Sequence, residues 1–132
     1  MNINEIVKFP NQLIHVETTH VKSEKSGKLK HNEFNIEAHV EGEILDKNNG
    51  KSIITIKVSN DEYYIEITKA GEFKFEQQIE DEKEAKLFLE VQGVRILWSY
   101  VREDIYSISA KMLPHPIMIP TIDVLQTIKK AQ

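Results

Sequence analysis

The chain has 132 residues, no cysteine and a net charge of −4 at pH 7, with 40% hydrophobic and 29% charged residues. A single domain over 1–132 is expected, because this length suits one hydrophobic core and is too short for two. The lack of cysteine excludes disulfides, thiolate zinc sites and cysteine nucleophiles. No apolar run approaches the roughly 20 residues of a membrane span, and the start lacks a signal-peptide pattern, which favours a cytoplasmic protein without membrane insertion.

The negative charge is concentrated in one part of the sequence. Residues 61–90 contain ten acids against four lysines, a net charge of −6, and the whole chain has only two arginines, Arg95 and Arg102. Phosphate recognition favours clustered Arg and Lys, so nucleic acid is not an expected partner. The acidic segment is either a solvated surface or a site for a basic protein surface.

Four segments before residue 80 have the composition and alternation of β-strands: 12–22, 34–44, 52–60 and 62–76. The period of two is clearest from Phe34 to Ile44, which predicts one buried face. Asn49 and Gly50 accept positive φ and predict a hairpin turn between the second and third strands. Gly71 predicts a bulge or bend within the fourth. Four antiparallel strands are therefore expected.

The apolar spacing changes to three or four residues after residue 80, which is typical of helices. Asp81 is a suitable N-cap for a first helical segment, which Gly93 is expected to interrupt. The segment 94–112 is an amphipathic helix that Pro114 stops. A last short helix is predicted over 121–132. The fold class is α+β, a four-stranded antiparallel sheet followed by a long helix and a short C-terminal helix.

No arrangement of residues in the sequence indicates catalysis, a metal or a cofactor. His15 and His20 have opposite parity, so a strand through both would place them on opposite faces. Glu103 and Asp104 diverge by about 100 degrees on a helix, and a surface network with Arg102 explains them better than a paired-carboxylate site. Phosphate-binding and serine-hydrolase motifs are also missing from the sequence, so no enzyme is expected.

Apolar and aromatic residues are dense in the long helix and in the segment that follows it. Trp98, Tyr100 and Tyr106 precede the segment 117–119, which prolines bound on both sides. These side chains either form core and oligomer contacts or line a groove for an extended apolar peptide, since Met and aromatic side chains adapt to varied sequences.

Three stretches resemble SecB proteins. ILWSYVRED at 96–104, followed by PHPIMIPTIDVL at 114–125, is similar to the C-terminal half of that family, and EITKAGEFKF at 66–75 is similar to one of its strands. The resemblance implies a SecB-like sheet with two helices on one side, in subunits that associate as dimers or dimers of dimers. It also implies a chaperone that holds unfolded or precursor polypeptides in apolar grooves and passes them to a SecA-type motor.

The resemblance assigns three sets of residues. The patch that would bind the motor comprises Glu17, Tyr64 and Glu66. The client-binding set is Phe34, Ile36, Trp98, Ile117, Met118, Ile119, Ile122 and Leu125. The oligomer interface would use Leu97, Tyr100, Val101, Ile105 and Ile108.

Two alternatives to a general export chaperone follow from the sequence. SEKSGKLKHNEF at 23–34 is lysine-rich where the SecB family carries Pro and Trp beside its groove. That difference favours a dedicated interaction module, such as a SecB-like chaperone specific for an antitoxin. A small-molecule enzyme of the hotdog type is disfavoured, because that fold wraps its sheet around an early helix and this chain places its helices last.

Overall fold

The computed structural model describes residues 11–27 and 33–119. Four strands form one antiparallel sheet in the order β1-β4-β3-β2, so β1 and β2 are the edges. Their bounds are β1 Asn11–Lys25, β2 Asn35–Ile44, β3 Asn49–Ser59 and β4 Tyr63–Phe75. All four predicted strands are present and are followed by the predicted long helix, so the α+β class is confirmed. The predicted helix at 121–132 lies outside the described residues.

The two faces of the sheet differ in burial. On β3 and β4, alternate residues such as Ile56 and Ile67 are fully buried, while their neighbours Thr55 and Thr68 are partly exposed. We call the buried side the inner face and the other the outer face. Because directly paired residues share a face, the register assigns every paired residue to one side.

Strand β1 contains two register shifts against β4, between Leu13 and His15 and between Thr18 and His20. Each shift inserts one extra residue and reverses the side-chain parity beyond it. As a result, His15 pairs with Glu72 and His20 with Thr68, which puts both histidines on the outer face. The expectation of opposite faces was wrong, because it assumed a strand without bulges.

The turn between β2 and β3 is organised by Asp46. Its carboxylate accepts hydrogen bonds from the backbone N–H groups of Asn48 (2.8 Å) and Asn49 (2.9 Å), and these contacts lower the pKa of Asp46 below its ordinary value. The predicted hairpin is present, but Asn49 and Gly50 already belong to β3 and neither has positive φ. Gly50 serves close packing instead, because a Cβ there would lie 2.6 Å from Leu89 Cδ1.

The helical part begins at Asp81, whose side chain accepts from the N–H groups of Lys83 and Glu84 and caps α1, Glu82–Phe88. A π-helical turn, Leu89–Gly93, connects α1 to the long helix α2, Val94–Met112. Gly93 has ordinary helical φ and ψ, so the expected interruption there is instead a widened turn within a continuous helical run. No helix of the described residues is long and apolar enough to cross a membrane.

Gly71 was expected to mark a bulge, but β4 passes through it without a register shift against β3. The Cα hydrogen that takes the place of a side chain faces α2, because a Cβ at this position would lie 2.8 Å from Leu97 Cδ2. The glycine therefore allows the long helix to approach the sheet closely.

The core consists of two clusters on the inner face. The larger one joins residues of β3 and β4, such as Ile56 and Ile67, to the buried side of α2 and to Ile117 and Ile119. The smaller one is aromatic: the Phe88 ring meets Phe73 edge-on at 6.0 Å and Phe75 at 5.5 Å. Together the clusters fix α1 and α2 against the centre of the sheet.

Candidate functional site

Helices α1 and α2 leave part of the inner face uncovered. Helix α1 and the π-helical turn pack against β2 at Gly42, whereas α2 packs on β4 and β3, and the inner-face residues of β2 before Gly42 lie beside these contacts. Ile36 is 37% exposed, Ala38 is exposed, and Phe34 and Val40 are half-buried against the core. We call Phe34, Ile36, Ala38 and Val40 the open β2 face. It is a strip of apolar surface beside an edge that no other strand of residues 11–27 and 33–119 covers.

A shallow cleft adjoins the N-terminal end of the open β2 face. Its volume is about 630 Å³, and Glu33, Phe34, Asn35, Asn60 and Asp61 line it. The Asn60 side chain holds this end together: its amide nitrogen donates to the Glu33 carbonyl (3.0 Å), and its oxygen accepts from the backbone N–H of Tyr63 (3.0 Å). The cleft thus combines one aromatic ring with an acidic rim.

The predicted client-binding residues divide into exposed and buried members. Ile36 (37%) and Met118 (73%) are exposed, whereas Trp98 (4%), Ile117 (5%) and Ile119 (1%) belong to the core of this chain. Burial keeps these last three side chains out of reach of a client in this conformation. Ile122 and Leu125 lie outside the described residues.

The chain after α2 is fixed to the helix by two side chains. The Ile117 N–H donates to Ser109 Oγ at 2.7 Å, and Arg102 Nε donates to the Ile119 carbonyl at 2.8 Å. These bonds aim Ile117 and Ile119 inwards and leave Met118 at the surface, beside a notch of about 250 Å³ that Tyr106 also lines.

The residues predicted for an oligomer interface are mostly used within one subunit. Leu97, Val101 and Ile105 have no exposed surface and pack in the larger core cluster. Tyr100 is 41% exposed and Ile108 is half-buried, so these two remain available for contact with a second copy. The apolar stripe of α2 is therefore buried against the sheet of the same chain.

Asp104 has a different partner from the one the sequence indicated. Its carboxylate accepts a hydrogen bond from Lys69 Nζ on the inner face of β4, where the lysine side chain is 9% exposed. The same ammonium lies 6.0 Å from the centre of the Tyr100 ring. Arg102 binds the Ile119 carbonyl instead, so the predicted surface network of Arg102 with Asp104 was wrong. The Lys69–Asp104 pair joins α2 to the sheet.

Glu66, predicted to bind a partner, lies on the outer face beside one histidine and two lysines. His20 Nε2 is 2.9 Å from its carboxylate, and Lys22 and Lys57 are its direct neighbours on the flanking strands. Tyr64 lies 5.5 Å from Lys22 Nζ and 5.8 Å from Lys57 Nζ. The surroundings of Glu66 and Tyr64 are therefore mixed in charge, although residues 61–90 are acidic as a sequence.

Glu17 lies on the same face, opposite Ala70, with His15 Nε2 at 3.5 Å from its carboxylate. Within residues 11–27 and 33–119, no three His, Asp or Glu side chains are grouped so that they could hold a metal ion. The predicted partner-binding residues thus share one exposed sheet surface, and their role stays a prediction.

The sequence analysis did not identify Ala38 and Val40 as members of the open β2 face. The alternation over 34–44 had already placed them on one face with Ile36. The order of the strands decides that this face lies at an edge, and the alternation carries no information about that order.

Comparison with known proteins gives a match in structure rather than in sequence. No protein-family model and no curated sequence matches the chain. A SecB-like chaperone from Mycobacterium tuberculosis, solved in complex with a peptide from the HigA1 antitoxin, is similar with a TM-score of 0.76, 12% identity and coverage of 90% of this chain and 91% of that one. A protein of unknown function from Streptococcus agalactiae is similar with a TM-score of 0.54, 13% identity and coverage of 85% and 98%. The chain has the SecB-like fold.

Proposed function

We propose that this protein is a SecB-like chaperone that holds extended segments of unfolded polypeptide against the open β2 face. The observation that carries this proposal is the exposure of Ile36 and Ala38 on the same face as the core, beside a free strand edge. An apolar strip with a polar, acidic cleft at one end is typical of surfaces that bind protein segments. The proposed activity requires no catalytic residue and no cofactor.

Affinity in this proposal comes from burial of apolar surface on both partners. Such burial contributes about 25 cal/mol per Å², part of which is lost in ordering the client. A strip of only four side chains therefore binds one short segment weakly. Longer unfolded chains, which can engage more surface, bind more tightly. This behaviour suits a chaperone that must later release its client.

The test of this proposal is suppression of aggregation of an unfolded precursor protein. The Ile36→Lys variant is expected to bind the precursor about tenfold more weakly, because a buried isoleucine contributes at least about 1.5 kcal/mol. Val21→Lys is the matched control: Val21 is 52% exposed on the inner face of β1, at the opposite edge of the sheet. Equal loss in both variants would contradict the assignment to β2, and failure of the unaltered protein to bind any unfolded chain would refute the proposed function.

A dedicated antitoxin chaperone is the second candidate. It is supported by the similarity in fold to a chaperone that was solved with an antitoxin peptide, and by the lysine-rich sequence 23–34. Purification of the protein with its bound partners from its native host distinguishes the two candidates. One dominant small partner supports the antitoxin role, whereas a spread of precursors supports export.

Export would add further properties to the proposed chaperone. It would act in the cytoplasm as a dimer or a dimer of dimers, and Glu17, Tyr64 and Glu66 would contact a SecA-type motor. All three residues lie on the outer face, where Glu17 is exposed and Tyr64 and Glu66 are partly exposed, which is compatible with that contact. Exchange of Glu66 for Gln should weaken binding to the motor and leave precursor binding unchanged.

A further inference from the structure

The turn between β2 and β3 leads into the one Asn–Gly pair of the sequence, Asn49 and Gly50. In an unfolded chain this pair is the asparagine context that deamidates most readily. Glycine has no side chain to hinder its own backbone nitrogen, which attacks the side-chain amide of the preceding asparagine. Whether the reaction occurs in the folded protein depends on how the backbone and the side chain of Asn49 are held.

The backbone of the pair is fixed in the sheet. The Asn49 carbonyl accepts from the backbone N–H groups of Leu45 (2.9 Å) and Asp46 (3.2 Å). Because the peptide bond is trans, the Gly50 N–H points the opposite way, towards its paired residue Phe73 on β4. The attacking nitrogen is thus held between two neighbouring strands, and this end of β3 must open before it can reach the side chain.

The side chain of Asn49 is held by Asp46. Its Nδ2 atom lies 2.9 Å from each of the two carboxylate oxygens, and its backbone N–H donates to the same carboxylate at 2.9 Å. Deamidation must break the bond between Cγ and Nδ2, so these charge-assisted hydrogen bonds are lost when the nitrogen leaves. The carboxylate therefore stabilises the unreacted amide and also keeps the turn closed.

We propose that Asn49 is a deamidation site, which Asp46 keeps unreactive as long as the turn between β2 and β3 is closed. When the turn opens, the Gly50 nitrogen forms a bond to Asn49 Cγ and gives up its proton. The bond between Cγ and Nδ2 breaks, and the nitrogen leaves with that proton as ammonia. Water then opens the succinimide ring to aspartate or isoaspartate. This chemistry is independent of the proposed chaperone activity.

Neither product can restore the original turn. An aspartate has an oxygen in place of Nδ2, so two carboxylates would face each other at hydrogen-bond distance, which is repulsive. An isoaspartate adds a methylene group to the backbone directly before Gly50, where even a Cβ would lie 2.6 Å from Leu89 Cδ1. Among the described strands, β2 pairs with β3 alone. The reaction therefore permanently weakens the attachment of β2 to the sheet.

Mass spectrometry of peptides from aged protein tests this proposal. Samples are kept in buffer or in guanidinium chloride at the same pH and temperature. Asn49 is expected to react at least about 100-fold more slowly in the folded protein, because only the locally opened fraction of molecules can react. Asp46→Ala should accelerate the reaction at least about tenfold in buffer, since the closed turn loses hydrogen bonds to a charged group. In guanidinium chloride the variant should react like the unaltered protein.

Two further variants separate the role of Asp46 from a general loss of stability. Asp46→Asn retains one oxygen that can accept from the backbone N–H groups but lacks the charge and the second oxygen, so its rate should lie between the other two. Asp61→Ala removes a carboxylate from the turn between β3 and β4 and should leave Asn49 as slow as in the unaltered protein. Deamidation of Asn60, in that second turn, serves as the internal reference.

Three results would overturn the protective role of Asp46: equal rates at Asn49 in buffer and in guanidinium chloride, an equal acceleration by Asp61→Ala, or a parallel acceleration at Asn60 in Asp46→Ala. The last result would mean that the variant simply unfolds more often. A lack of reaction at Asn49 in guanidinium chloride would overturn the site itself.

Discussion

Replacement of Gly93 by alanine is expected to lower the free energy of unfolding by about 3 kcal/mol, through overpacking and loss of a buried hydrogen bond. A Cβ at this position would lie 1.9 Å from Ser52 Oγ and 2.8 Å from Ser52 Cβ. Ser52 cannot simply rotate away, because its hydroxyl donates to the Leu89 carbonyl at 2.6 Å within the π-helical turn. The alanine must therefore displace the helix or break this bond.

Urea unfolding of a double-mutant cycle measures this effect. In a Ser52→Gly background the clashing atoms are gone, so Gly93→Ala should cost less than about 1 kcal/mol. Ser107→Ala on the exposed side of α2 is the control for helix propensity and should change stability by less than about 0.5 kcal/mol. If Gly93→Ala stabilises the protein, as alanine does at an open helical position, the close contact between this turn and β3 is refuted.

Loss of the Asp104 carboxylate is expected to be the second large effect, about 2–3 kcal/mol for Asp104→Ala. The substitution leaves the Lys69 ammonium without its carboxylate partner, and water cannot replace that partner well because the lysine side chain is only 9% exposed. The reverse change, Lys69→Met, should cost about 1 kcal/mol, because Asp104 is 32% exposed and can be hydrated. The two halves of one ion pair thus have unequal effects.

Thermal or urea unfolding of the two variants and of the double variant Lys69→Met, Asp104→Leu checks this asymmetry. The double variant should recover most of the loss seen in Asp104→Ala, because an apolar pair leaves no buried charge unpaired. Equal losses for Asp104→Ala and Lys69→Met would contradict the burial of the lysine. A loss in the double variant as large as that in Asp104→Ala would show that the unpaired lysine charge is not the cause of the loss.

The repeating patterns of the sequence were enough to predict most of the fold. The period of two over 34–44 and the spacing of apolar residues over 94–112 predicted β2 and α2 to within one residue. The position of Lys69 in the alternation was also informative. Lys69 has the same parity as Ile67 and Phe73, which places it on the buried face, where a charged side chain needs a partner. Local periodicity could not identify Asp104 as that partner, because the contact depends on where α2 crosses the sheet.

Features that depend on backbone irregularity or on strand order were not predictable. The bulges beside His15 and His20 each insert a single residue. Such an insertion shows in a sequence only as a break in apolar alternation, and β1 is too polar to have a clear alternation. The role of Gly93 depends on its contact with Ser52, a residue 41 positions earlier in the chain. The exposure of Ile36 follows from the edge position of β2, which is a property of the whole sheet.

The most direct test of the chaperone account is an NMR titration of the isotope-labelled protein with a permanently unfolded model protein. The account predicts that the backbone amide signals of residues 35–40 shift or broaden first, while those of the outer face of β4, such as Glu66 and Thr68, stay in place. Changes confined to β1 or to the outer face, or no changes at all, would contradict the claim that the open β2 face holds unfolded polypeptide.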